Sequence, residues 1–302
     1  MTANRTLTLS LLLLMTNSSC EMTVDLNLPE HEPQLVVNSY FGPGYEWEVD
    51  VTSNNAPSNP GSEEAIENAT VKIYKGDSHA GTLIKTDERY RLANLESPES
   101  GRRYSLRVEA PGYKTLEATD IVPEPAQIQI IQVTSDAREV NGNNHTEIQL
   151  QITSDPETRT YFLLNMNREV EGPDGTEPYL TPTIYSTSEP VIAQYQEEFD
   201  PFESSGIRQY HGPVFFTNEL FSGPEKTITL YVPDYYTDPS FEQALELQIS
   251  HLSESYFQYE ITRESQSRTG DNPFAEPVSV YSNLSNGMGI FGAFNETRIK
   301  IE

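Results

Sequence analysis

Residues 34–41 read QLVVNSYF and residues 47–53 read WEVDVTS, and the second run decides the fold. Trp47, Val49 and Val51 alternate with Glu48, Asp50 and Thr52. A period of two puts apolar side chains on one face of a strand and charged ones on the other. Gly42, Pro43 and Gly44 lie between the runs, so the pair reads as a hairpin. The same signature recurs downstream. Residues 69–75 (ATVKIYK) alternate again and turn at Gly76 and Asp77, and residues 83–85 and 90–95 continue the series. Residues 104–110 (YSLRVEA) place Tyr104, Leu106 and Val108 on one face before Pro111 and Gly112, and residues 116–119 close the set. About seven short strands in about 90 residues predict an immunoglobulin-like β-sandwich over residues 33–122.

Pro123 and Pro125 form a stiff connector, and a second β-rich domain is expected over residues 126–302. Strands are expected at 127–134 and 146–153, joined by a turn at 141–144, and again at 159–168, 214–217, 226–232 and 244–251. Residues 200–212 read as a long loop. One helix is expected, at 253–268: Ser253 can cap it, Glu254 sits in its first turn, Leu252, Tyr256 and Tyr259 share a side, and Gly270 ends it. Near the C-terminus Gly287, Gly289 and Gly292 interleave with Met288, Ile290, Phe291 and Phe294, which predicts a final strand against which another element packs closely. The fold class expected is therefore mainly β, with a sandwich first and a β-rich domain with one helix after it.

The first 19 residues carry a different signal. Arg5 precedes a short apolar run of Leu7, Leu9, Leu11, Leu12, Leu13, Leu14 and Met15, the pattern of a secretory leader. The run is well short of the roughly 20 residues a membrane-spanning helix needs. Ser18 and Ser19 then lead to Cys20, the sole cysteine of the chain, which reads as the lipid-carrying first residue of the mature protein. Residues 20–32 become a tether, and the expected partner of Cys20 is a membrane, reached through acyl chains.

Composition narrows the functions. The formal net charge is −27, one unit more negative once Arg5 leaves with the leader, and such a field repels nucleic acid. The histidines His31, His79, His145, His211 and His251 lie far apart in the chain, so no local zinc motif forms. No nucleophile elbow, P-loop or dinucleotide fingerprint occurs, and no catalytic residue, metal or cofactor is expected. Glu197, Glu198 and Asp200 cluster beside Tyr195 and Phe199, but neighbours in the chain do not supply the opposed carboxylates of glycan hydrolysis. The aromatic residues Tyr179, Tyr185, Tyr195, Phe199, Phe202 and Tyr210 lack steady strand periodicity and are expected to form a ligand-contacting loop region.

Two longer stretches, LPEHEPQLVVNSYF at residues 28–41 and NPFAEPVSVYSNLSNGMGIFGAF at residues 272–294, resemble the Bacteroidota lipoprotein family known as domain of unknown function 4249. Between them ENATVKIY (67–74), GRRYSLRV (101–108), FTNELFSG (216–223) and SHLSESYFQYE (250–260) resemble the family in order and spacing, while Asn17 stands where such leaders usually carry Leu. The resemblance implies an outer-membrane lipoprotein, commonly encoded beside a TonB-dependent receptor, with no catalytic residues to carry over. With the lipid anchor, the β-sandwich pattern and the missing catalytic motifs, that setting leads to the expectation of a noncatalytic accessory or ligand-binding partner of such a receptor in nutrient uptake. The rival expectations are a hydrolase with a dispersed site and a surface adhesin or structural lipoprotein.

Overall fold

The computed structural model describes residues 32–54, 64–92, 96–140, 142–170, 177–195, 207–234, 245–269, 276 and 278–301. The leader, Cys20, nearly all of the tether, Phe199, Phe202 and the 197–200 carboxylates lie outside the described residues. Contacts divide the chain into Met1–Glu32 and Pro33–Glu302, and the fold is that of the second unit.

Strands follow the alternating runs: β1 (Leu35–Phe41), β2 (Trp47–Ser53), β3 (Glu64–Ala65), β4 (Thr70–Lys75), β5 (Ser78–Thr86), β6 (Arg89–Leu92), β7 (Arg103–Glu109) and β8 (Leu116–Ile121). Then come β9 (Gln127–Val140), β10 (Asn143–Thr153), β11 (Tyr161–Val170), β12 (Tyr179–Pro182), β13 (Ile184–Thr187), β14 (Arg208–His211), β15 (Val214–Thr217), β16 (Glu225–Pro233) and β17 (Leu245–Leu252). Helix α1 (Glu254–Thr269) and strand β18 (Gly287–Ile301) complete the chain. The protein is mainly β, with this helix near its C-terminus.

One sheet runs β12, β11, β17, β18, β1, β2, β6, β5, β4, β7, β8, with β15 added to β11 and β3 to β2. It curls so that Leu35, Val37 and Phe41 of β1 and Trp47, Val49 and Val51 of β2 meet Val71, Leu106, Val108 and Leu116 from β4, β7 and β8. Each such side chain contributes about 1.5–3 kcal/mol on full burial, which is why the period of two was legible. The second sheet runs β14, β13, β16, β10, β9. Its inner face, with Ile148, Leu150, Ile228 and Leu230, packs against Phe162, Leu164, Leu247 and Ile249 of β11 and β17.

Strand β18 bridges the two stretches expected as domains, 33–122 and 126–302. Its first half pairs in parallel with β1, from Leu35 opposite Gly287 to Phe41 opposite Ala293. Its second half pairs antiparallel with β17, from Leu252 opposite Phe294 to Leu245 opposite Ile301. Phe291 and Ala293 belong to the first core, so the C-terminal strand completes the N-terminal one. The connector at Pro123 and Pro125 therefore does not separate two independent bodies.

The glycines of β18 do what their spacing predicts. Gly289 has φ +105, and a Cβ there would lie 2.1 Å from the carbonyl oxygen of Val37. A Cβ at Gly292 would lie 3.0 Å from Cβ of Tyr256 on α1. Met288 departs from the core reading, being 38% exposed.

Candidate binding clefts around the helix

Residues that point away from the first core make the site. Along β1, Val36, Asn38 and Tyr40 alternate with the buried positions and face α1. Ser253 caps the helix as its type predicts: its hydroxyl oxygen accepts from the Tyr256 backbone N–H at 3.2 Å. The same hydroxyl donates to Oδ2 of Asp120 on β8, and the Ala293 N–H donates to that oxygen at 2.9 Å. One carboxylate thus ties β8, the helix start and β18 together. Burial pushes the Asp120 carboxyl above its ordinary 3.8, opposed by these hydrogen bonds. The folded state therefore holds the proton more readily than the unfolded chain, so this group's contribution to stability is full below pH 3.8 and falls as pH rises through the raised value. Asp120→Ala is expected to cost about 1–3 kcal/mol by orphaning the Ala293 N–H and releasing the cap. It should also flatten the pH dependence in that window, both read from urea unfolding as a function of pH.

A polar and aromatic seam runs under the helix. The Tyr40 ring lies 4.7 Å from that of Tyr256. Its hydroxyl donates to Glu260 at 2.8 Å, and Arg263 donates to the other Glu260 oxygen at 2.6 Å. Glu260 is only 7% exposed, and burial together with its charge drives the Tyr40 phenol far above its usual range. Tyr259 donates to Asn38 Oδ1 at 3.2 Å.

Clefts open beside this seam. One of about 620 Å³ lies between the C-terminal half of α1, the β1 and β18 pair, and residues 279–282. Tyr259, Arg263, Gln266, Tyr281 and Met288 line it, and the Tyr281 N–H donates to Thr262 Oγ1 at 2.9 Å, which pins its far wall to the helix. A second, of about 410 Å³, is acidic, with Glu46, Glu48 and Asp50 beside Tyr40 and Tyr45. Two of these carboxylates are paired: Arg91 reaches Glu48 at 2.7 Å, and Arg89 contacts Glu48 and holds Asp50 at 2.9 Å. A third, of about 470 Å³, lies at the 124–127 connector. There His251 donates from Nδ1 to the Glu124 carbonyl at 2.8 Å, and burial lowers the pKa of its imidazole. Among the described residues no group of three or more His, Cys, Asp or Glu side chains is placed to hold a metal.

The described members of the expected aromatic contact region, Tyr179, Tyr185, Tyr195 and Tyr210, do not share one surface. Tyr179 is 51% exposed on edge strand β12. Tyr185 and Tyr210 are corrections: they sit opposite each other on β13 and β14, rings 5.6 Å apart, inside the second core. Strands of four residues show too little alternation to be told from loop, so apolar burial was read as exposure. Tyr195 packs edge-on against Phe257 at 5.1 Å, and its hydroxyl accepts from Arg159 at 3.3 Å. The cleft residues Tyr259, Arg263 and Gln266 were missed, although their spacing of four and three already sets them on one helical stripe.

Tyr185 is fully buried and its hydroxyl has no hydrogen-bond partner among the described residues. An unpaired buried hydroxyl costs about 1–3 kcal/mol. Tyr185→Phe is therefore expected to leave stability unchanged or to raise it by about 1 kcal/mol, against the usual loss for a core substitution, as read from the urea midpoint.

A family model described as domain of unknown function DUF4249 matches residues 21–300. No curated protein matches the chain. Among solved structures, the chain aligns with a β-glucuronidase of Parabacteroides merdae at 9% identity and a TM-score of 0.18, over 89% of its own length and 24% of that protein's. The chain spans about a quarter of that enzyme, and so loose a superposition carries no argument about fold or activity.

Proposed function

From the premise that this chain belongs to the DUF4249 family over residues 21–300, we propose that it is a noncatalytic, lipid-anchored accessory of an outer-membrane receptor of the TonB-dependent class, serving nutrient uptake from the outer membrane. The observation that carries this reading is the leader pattern of residues 1–19 ending on Cys20, the sole cysteine, shortly before the unit that opens at Pro33. Acyl chains on Cys20 contribute about 0.8 kcal/mol per buried methylene, so several of them hold a protein on a bilayer durably. The short polar stretch between Cys20 and Pro33 leaves the β unit and its clefts beside a membrane partner.

The test is copurification of the tagged full-length protein in mild detergent, with partners identified by mass spectrometry. The expected result is a TonB-dependent receptor in the eluate from wild type. Cys20→Ser should lose fatty-acid label and leave the membrane fraction. Wild type that takes up no label overturns the anchor, and an eluate without any outer-membrane barrel overturns the partnership.

A further inference from the structure

The 620 Å³ cleft differs from the other two in its charge. Among the described residues no acidic side chain lines it, whereas Glu46, Glu48 and Asp50 line the cleft beside β2, and Glu124 and Asp155 line the one at the connector. Its charged lining residue is Arg263, whose side chain is 56% exposed. Glu260 holds the Nε and Nη2 groups of Arg263 from the buried, Tyr40 side of the helix. The guanidinium therefore presents a positive edge to the cleft while its counterion is withdrawn beneath it.

The same cleft also gathers exposed apolar surface. Tyr281 and Met288 are both 38% exposed, and they line this cleft together with Val36. Exposed apolar side chains gathered in a concave site, with a few polar groups at the margin, are the usual make-up of a small-ligand pocket. Gln266 and Asn54 supply such polar groups here.

We infer that this cleft binds a small amphipathic anion, a flat apolar body seated against Tyr281 and Met288 with a carboxylate or sulfonate turned toward Arg263. The other two clefts carry carboxylates in their walls, so of the three this is the one where an anion is least repelled. The inference deepens the reading of the protein as a ligand-binding accessory, but its test needs neither membrane nor receptor.

The probes are 2-naphthoate and 2-naphthylmethylammonium, which share a ring system and differ in charge, titrated into the protein by calorimetry at low ionic strength. The expected result is saturable binding of the naphthoate, about fivefold tighter than that of the ammonium compound. Gln266→Glu places a carboxylate one helical turn from Arg263 at an exposed position, without touching the Glu260 pair, and should erase or invert that order. Tyr281→Ala should weaken both probes, with the unfolding midpoint unchanged. No saturable naphthoate binding, a wild-type preference for the ammonium probe, or an order insensitive to Gln266→Glu overturns the inference. Loss of receptor copurification with these titrations intact would instead count against the accessory role alone.

Discussion

Gly289→Ala is expected to lose on the order of 4 kcal/mol, a large share of the stability of an ordinary domain. Two effects coincide at this residue. Its φ of +105 lies where L side chains carry strain, and the added methyl would sit 2.1 Å from the Val37 oxygen and 2.9 Å from its carbonyl carbon. Neither atom can move without breaking the register of β1 with β18, in which Val37 stands opposite Gly289. Gly44 separates the two effects, because its φ is +84 but none of the described residues lies within 4 Å of a Cβ there. Gly44→Ala should cost only the backbone strain, about 1–2 kcal/mol. Urea unfolding of both variants measures the difference, and equal losses would show that the close approach of β18 to β1 does not matter.

Trp47→Ala is expected to cost about 3–5 kcal/mol. Its ring stacks on Phe41 at 5.1 Å and meets Tyr104 at 5.2 Å, while Phe41 stacks on Phe291 at 4.2 Å. The indole N–H donates to the Glu96 carbonyl at 3.0 Å, so the polar handle of this buried side chain is satisfied. Truncation would leave a cavity between β2, β7 and β18 and orphan that carbonyl. Trp47→Phe keeps the stack and should lose about 1–2 kcal/mol. Near-ultraviolet circular dichroism and urea midpoints check both variants, and a loss below about 1 kcal/mol for the alanine would mean that the aromatic cluster is not the centre of this core.

These variants mark how far the sequence could be read. β1, β2, β4 and β7 were legible because each is half buried, so its alternation records which face meets the core. The helix was legible from Ser253 and Glu254, which answer to the local needs of a helix start. Strands β13 and β14 were not, because four residues hold too little periodicity, and Tyr185 and Tyr210 were misplaced with them. The pairing of β18 with β1 is set by tertiary packing between segments almost a chain length apart, and no local pattern records it. The 620 Å³ cleft shares that problem. One wall is a stripe on α1, but Tyr281 and Met288 arrive from another part of the chain and only the fold brings them opposite Arg263.

The strand shared by both halves also bears on the order in which the chain can mature during synthesis. A polypeptide emerging N-terminus first makes β1 and β2 early, yet the edge of β1 stays open, and Phe291 stays missing from beside Phe41, until residues 287–293 have emerged as well. Such long-range closure is slow, since loop entropy must be overcome before the contact forms. The N-terminal half thus lacks one edge partner and one ring of its core until β18 is available, so its closure comes late in the folding of the whole unit.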